Sequence, residues 1–324
     1  MVTALYLGRN CPPNMEAYLD GLAQRERDST AFDVLIDEDC NIPQWLYDDD
    51  CFTFRHYDLG YGSGRSLIQI AADGVRSYLS EHDPDEIRQI TQPRWHAPGI
   101  LLGSRGESLR RCTRVSHSNF TEYQTTTGVE RIREFGANNV IGQAIFLADA
   151  VYTPEYGGVS LPWWSRSKLI EEPRVAGRQF RSDVDPLESL FTQDTRRVLT
   201  VGRVSEKKGI DLLLDTALEL PDWEFVVVGP LREDELVDRA GDITNVTLYG
   251  PLDYIEMPRA YAACNVLLST SRVEWGGISR AMLEAHAVDR PIVALDIEDA
   301  ASIATVTVDS TPCSVATGLQ TAIA

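Results

Sequence analysis

The chain has 324 residues, 43% of them hydrophobic, which is too many for one small core and suits two units of ordinary domain size. Its formal net charge of −19 is spread along the whole length, which argues against nucleic acid as a partner. The apolar runs fall far short of the roughly 20 residues of a membrane span, and the six cysteines lack ligand or disulfide spacing, so a reduced, cytoplasmic protein without a metal centre is expected.

Residues 2–7 form an apolar opening without a basic leader and read as a first buried strand. Runs at 32–36, 87–91, 113–117 and 150–153 suit further short strands, with helical patterns between several of them, one at 66–79. Asp48, Asp49 and Asp50 read as a solvated charge run in a loop. The Gly-Tyr-Gly-Ser-Gly stretch at 60–64 imitates a dinucleotide fingerprint but lacks its later glycine and preceding strand, so a flexible loop is expected there. Trp163 and Trp164, near Arg166 and Lys168, have two readings, a peripheral contact with a membrane surface or simple burial. Residues 175–193 are rich in Arg, Asp, Gly and Ser without apolar periodicity and read as a linker, giving a first domain at 1–192 and a second at 193–324.

The second half alternates short apolar runs, at 198–201, 223–228, 246–249, 265–270 and 291–295, with helical stretches that include 210–220 and 279–288. That alternation predicts a parallel sheet covered by helices. Two strand-to-helix junctions then carry chemistry. At 201–209, Val-Gly-Arg-Val-Ser-Glu-Lys-Lys-Gly turns at Gly202 and places Arg203 and Lys208 to converge on a phosphate. Alone it would pass for a solvated basic loop, yet two of the chain's three lysines stand here. At 274–285, the backbone N–H groups of Gly277, Ile278 and Ser279 at a helix start make an anion site suited to a diphosphate. Glu284, about two turns along, is placed to accept hydrogen bonds from ribose hydroxyls, or else is an exposed acidic helix residue.

Val-Gly-Arg-x4-Lys-Gly, the strand ending at Gly229, Val-Thr-Leu-Tyr-Gly250, Tyr-Ala-Ala-Cys-Asn-Val, Ser-Thr-Ser-Arg and Met-Leu-Glu-Ala follow one another over about residues 196–296. In that order they resemble the retaining GT-B glycosyltransferases of family 4, the glycosyl transferases group 1 type. The resemblance implies an α/β GT-B architecture, two Rossmann-like lobes with parallel sheets facing a central cleft. It implies transfer of a glycosyl unit from a nucleotide diphosphate sugar, with retention, to a hydroxyl of a glycan, lipid-linked or small-molecule acceptor, with no metal or cofactor. Arg203 and Lys208 would grip the diphosphate, assisted by Gly277, Ile278 and Ser279, and Glu284 would hold the ribose. His117 would face the donor sugar as a catalytic residue. Glu274 would be the other, standing two positions before the family's first glutamate, whose place Gly276 takes. Gly8 stands where the family has paired glycines in the first loop and would contact the donor. Two other readings remain open on the residues: a non-catalytic sugar-nucleotide-binding or partner subunit, and a nucleotide-sugar epimerase on the same fold.

Of the 30 basic residues only Lys168, Lys207 and Lys208 are lysine; the rest are arginine. Acid excess with so little lysine resembles proteins of salt-loving archaea, where molar salt shortens the Debye length to about 3 Å and makes self-repulsion tolerable. The melting temperature should therefore rise from dilute buffer to molar potassium chloride. A melting temperature that stays flat or falls would remove the halophile reading.

Overall fold

The computed structural model describes residues 1–115, 128–154, 163–192, 195–274, 278–297 and 299–324. By its contacts the chain divides into two compact units, Met1–Arg174 and Val175–Ala324.

The first unit holds seven strands: β1 (Val2–Gly8), β2 (Ala31–Asp37), β3 (Phe52–Tyr57), β4 (Glu86–Gln89), β5 (Arg110–Arg114), β6 (Ala150–Pro154) and β7 (Leu169–Glu172). They lie all parallel in the order β3-β2-β1-β4-β5-β6-β7. Helices α1 (Pro13–Glu26), α2 (Gln44–Tyr47), α3 (Leu67–Leu79), α4 (Pro93–Gly103) and α5 (Gly128–Leu147) connect them. Side chains alternate across β1, so both faces are covered. Leu5 and Leu7 pack with Leu19 and Leu22 of α1, while Ala4 and Tyr6 pack with Val75 of α3 and Ile100 of α4. Ser66 opens α3 with a capping box shared with Gln69.

Two strands of this sheet carry no strong apolar signal. In β5 the arginines of Arg-Arg-Cys-Thr-Arg hide the pattern, because each finds a partner: Arg110 bonds Glu86, Arg111 the carbonyls of Ser104, Glu107 and Leu109, and Arg114 Glu172. The strand accordingly starts three residues earlier than the expected strand at 113–117. β7 is the four residues Leu-Ile-Glu-Glu, and its last carboxylate belongs to a buried ionic cluster. Arg88, 1% exposed, bonds Glu86 at 3.0 Å and Glu172 at 3.3 Å, and its guanidinium lies 3.7 Å from the centre of the Tyr152 ring. Removing water from such charges is costly, so they persist only when every donor and acceptor is matched. The aspartate triplet is likewise only partly solvated: Asp49 is buried, with Arg27 spanning both of its oxygens at 2.8 and 2.9 Å.

The second unit has β8 (Arg196–Val201), β9 (Trp223–Val228), β10 (Val246–Gly250), β11 (Val266–Ser269), β12 (Ile292–Leu295) and β13 (Val306–Val308), all parallel in the order β10-β9-β8-β11-β12-β13. Helices α6 (Ile210–Glu219), α7 (Asp234–Gly241), α8 (Met257–Ala263), α9 (Arg280–Ala287) and α10 (Pro312–Ala322) complete it. The strands at 198–201, 223–228, 246–249, 265–270 and 291–295 all appear, and β13, only three residues long, is the addition. Residues 175–192 pack with this unit, as Phe180 shows: it is buried against the rings of Tyr254 and Tyr261, with centroids 5.5 and 5.9 Å away.

Both strand orders reverse direction at their first strand, between β1 and β4 in one unit and between β8 and β11 in the other. In open parallel sheets, ligands bind at such switch points, outside the carboxyl ends of the strands. No described helix is long and apolar enough to cross a membrane.

Candidate active site

At the switch point of the second sheet two loops meet, residues 202–209 after β8 and residues 270–274 after β11. Their approach is too close for a side chain at position 209. Gly209 has φ of +67°, and a Cβ there would come within 2.0 Å of the Thr270 carbonyl oxygen. Only glycine offers both the left-handed turn and the missing atom. Further bonds tie the loops together. The Thr270 hydroxyl donates to the Lys208 carbonyl at 3.0 Å, and the Arg272 amide to the Lys207 carbonyl at 3.2 Å. The Arg272 guanidinium also grips both oxygens of Asp211 at the start of α6, the first at 2.7 Å, and this charge-assisted pair holds the Asp211 carboxyl below its ordinary range. The Ser-Thr-Ser-Arg motif announced Arg272 without a role; its partner Asp211 gave no sign beyond being acidic near a helix start.

Within this frame the structure brings Lys208 and Glu274 together as an ion pair between largely buried side chains, 20% and 17% exposed. Arg203 stands exposed beside them in sequence, and its side chain has no hydrogen bond or ion pair among the described residues. Ser279 is the N-cap of α9, its hydroxyl accepting from the Met282 amide at 3.3 Å. Ile278 is buried just before it. Ala281 of the first turn lines a narrow crevice together with Lys208, Thr270 and Ser271. Gly277 and His117 lie outside the described residues, as do Gly276 and the side chains of Trp163 and Trp164.

Glu284 is the fifth residue of α9, one turn in, and is 3% exposed, so it is not a surface carboxylate. The Tyr261 phenol donates to its Oε2 at 2.8 Å, while Oε1 is buried without a hydrogen bond of good geometry among the described residues. Burial pushes its carboxyl up to about 7, against the pull of Arg280 and of the Tyr261 and Tyr254 phenols. Tyr261 opens the Tyr-Ala-Ala-Cys-Asn-Val motif, which gave it no role; it pairs with Glu284 from α8, 23 residues away.

Gly8 belongs to the first unit. It ends β1 with φ of +83°, and a Cβ there would come within 2.6 Å of the Tyr61 hydroxyl and 3.2 Å of His96 Cε1. His96, which sequence reasoning passed over, is buried, and burial lowers its pKa to about 4, so it is neutral at physiological pH. The Thr91 hydroxyl donates to the Leu7 carbonyl at 2.7 Å, so its oxygen accepts from the His96 Nδ1–H at 3.0 Å. The pair props the first loop from below.

Two all-parallel sheets, each reversing its strand order at a central switch point, define a doubly wound α/β protein. Residues 195–323 match the family model described as Glycosyl transferases group 1. The chain is 32% identical over 108 residues to alpha-D-kanosaminyltransferase of Streptomyces kanamyceticus, a stretch that covers 31% of this chain and 28% of that protein. The chain thus spans less than a third of the length of the curated relatives it matches. Among solved structures it is similar to sucrose-phosphate synthase of Thermosynechococcus elongatus, with a TM-score of 0.74 at 16% identity over 99% of this chain and 89% of that one. Anabaena HepE in complex with UDP and glucose gives 0.71 at 17% identity, with the same coverage of 99% and 89%. The fold is therefore GT-B, built from two Rossmann-like units.

Because the folded value of Glu284, about 7, lies above the ordinary 4.5 of a free glutamate, the native state binds more protons than the unfolded one between those values. The stabilisation is full below about 4.5 and is lost as pH rises through about 7. Wild type should lose up to roughly 2–3 kcal/mol from this group between pH 5 and pH 8, and Glu284→Gln should show a correspondingly shallower decline in urea denaturation. Equal declines in the two proteins would refute the buried-acid account.

Proposed function

We propose that this protein is a glycosyltransferase that moves a glycosyl unit from a nucleotide diphosphate sugar to an acceptor hydroxyl, with retention at the anomeric carbon. The acceptor is a glycan, a lipid-linked sugar or a small molecule, and the proposed setting is the cytoplasm of a halophilic archaeon. The observation that supports the reading is the meeting, at one switch point, of Lys208, its partner Glu274 and the first turn of α9, with Glu284 buried further along that helix and its Oε1 without a hydrogen bond of good geometry among the described residues. Such an oxygen is suited to a ribose hydroxyl, which brings the missing donor. The match of residues 195–323 to the glycosyl transferases group 1 model covers the same loops.

Chemically, the leaving diphosphate gains negative charge as the glycosidic bond breaks. Lys208, Arg203 and the amides at the start of α9 stabilise that charge in fixed positions, the kind of electrostatic contribution that usually dominates catalysis. In this proposal they fill the role of a metal clamp. His117 is assigned to the donor sugar from the resemblance.

The Lys208–Glu274 pair gives the donor a competitor. A diphosphate reaching Lys208 must displace the Glu274 carboxylate, which is then free to turn to the transferred sugar, where its charge opposes the positive charge developing at the anomeric centre. The two-residue displacement of Glu274 in sequence thereby acquires a use.

Calorimetry with a nucleoside diphosphate in the presence of a chelator tests the phosphate roles. Arg203→Ala and Lys208→Ala should each weaken binding by about 1.5–3 kcal/mol, the exposed Arg203 at the lower end. Wild-type affinity in both variants, with the fold intact, would eliminate those roles, and binding that requires added magnesium or manganese would favour a metal clamp. A donor screen that detects released nucleoside diphosphate identifies the substrate.

Glu274→Gln should act in two directions at once. Removing the competing carboxylate should tighten nucleoside diphosphate binding severalfold, whereas loss of the charge opposite the sugar should lower kcat. Weaker diphosphate binding by Glu274→Gln would show that the pair serves to orient Lys208 and does not compete with the donor.

A further inference from the structure

The switch point of the first sheet holds a cavity of about 810 Å³ whose lining, among the described residues, comes from the loops after β1, β2 and β4, the starts of the helices that follow β1 and β4, and the ends of β1 and β5. That volume suits a ligand of one to two sugar rings. Its cations are Arg114, at the end of β5, and Arg9, at the rim. Its carboxylate is Asp39, which pairs with Arg9 at 3.3 Å.

Arg114 is built in. Its backbone N–H donates to Gln89 Oε1 at 3.1 Å, its Nε donates to Glu172 Oε2 at 3.2 Å, and its guanidinium lies 4.1 Å from the centre of the Tyr18 ring. Its two terminal amino groups have no hydrogen bond among the described residues. The carboxylate behind it does not neutralise it fully, because Glu172 is shared. Glu172 Oε1 also takes the Tyr18 hydroxyl at 3.0 Å, Arg88 at 3.3 Å and Arg25 at 3.8 Å. Arg88 leans in turn on Glu86, which is shared with Arg110. Around two buried carboxylates stand four guanidiniums, with Glu26 near the edge, its own carboxyl pushed up by burial. A chain of net charge −19 thus gathers four arginines around these carboxylates, and one of them, Arg114, lines the cavity with terminal amino groups that bond nothing among the described residues.

We propose that this cavity binds an acceptor carrying an anionic oxygen group, a phosphate ester or a carboxylate, held edge-on by the terminal amino groups of Arg114 with Arg9 at the rim. Asn41, Asp39 and Gln92 meet its hydroxyls. A planar guanidinium fixed at Nε and stacked on a ring presents its two free donors to an oxyanion without further loss of side-chain freedom. The word acceptor rests on the transferase reading; the anion site itself does not.

Calorimetry on the full chain, at the lowest salt that keeps it folded, separates the cases with three probes: glycerol 3-phosphate, glucuronate and neutral glycerol. At least one anionic probe should bind, and glycerol should not. Which of the two anions binds better identifies the group. Arg114→Gln should weaken the anion about tenfold or more, the loss of a charge-assisted bond. Arg9→Gln, at an exposed residue whose loss leaves the core untouched, should weaken it severalfold and so stands as the check if Arg114→Gln folds poorly. The double variant Arg203→Ala with Lys208→Ala should bind the anion as wild type does. Binding lost only in that double variant would assign the anion to the second unit and overturn the proposal, as would unchanged affinity in Arg9→Gln and Arg114→Gln, or no binding of either anion by wild type. Failure of nucleoside diphosphate binding, by contrast, would strike the transferase reading alone.

Discussion

A parallel sheet with both faces covered leaves one place for chemistry, the edge where strands hand over to helices. Each unit obeys this constraint, and it explains why residues scattered over the sequence meet. Lys208 and Glu274 are 66 positions apart but stand on the loops that follow β8 and precede α9, and these loops leave adjacent strands at the switch point. The meeting depends on close backbone approach. Gly209 lies against the Thr270 carbonyl where no Cβ fits, and Arg272 spans the remaining gap to Asp211. A change that disturbs one loop is transmitted to the other through these contacts, without any need for long-range motion.

Electrostatics divides the molecule in a second way. A strongly acidic chain repels anions over most of its surface, so anion recognition requires local cations held where the general field cannot cancel them. In the second unit the proposal gives this to a lysine paired with a carboxylate and to an arginine without a partner among the described residues. In the first unit, arginines are sunk into the sheet itself, on β4 and β5, against carboxylates that they outnumber. The same burial that raises the Glu284 carboxyl to about 7 leaves one of its oxygens without a hydrogen bond of good geometry among the described residues. A buried unsatisfied oxygen costs stability, and retaining one is understandable where a ligand supplies the donor.

The legibility of the sequence followed the physics of each segment. Continuous apolar strands such as Trp223–Val228 and the Gly-bounded loop at 201–209 were readable, because burial on both faces and tight turns restrict residue type strongly. β7 was not, and β5 was met only at Thr113 and Arg114, since their charged residues find partners in other elements, as Arg110 does in Glu86 and Arg114 in Glu172. The contacts of Arg88 with Glu172 and of Tyr261 with Glu284 leave no periodic trace at all. The site itself showed the same split. Lys208, Ser279, Glu284 and Tyr261 all fall in the quoted motifs and strand-to-helix junctions, whereas Asp211, which holds Arg272, and in the first unit His96, which lies against Gly8, look like any other core or surface residue until the fold places them.

The scarcity of lysine has a practical meaning for spectroscopy. With lysine at 168, 207 and 208 alone, lysine-selective isotopic labelling would give a spectrum of three backbone amide signals. Two of them come from the loop that carries the ion pair to Glu274, and the third comes from Lys168, whose ammonium group is held by the Phe146 and Ala148 carbonyls at 2.7 Å each at the end of α5. A chain of this size would thus carry its own sparse reporters, a pair at one switch point and an internal reference in the other unit.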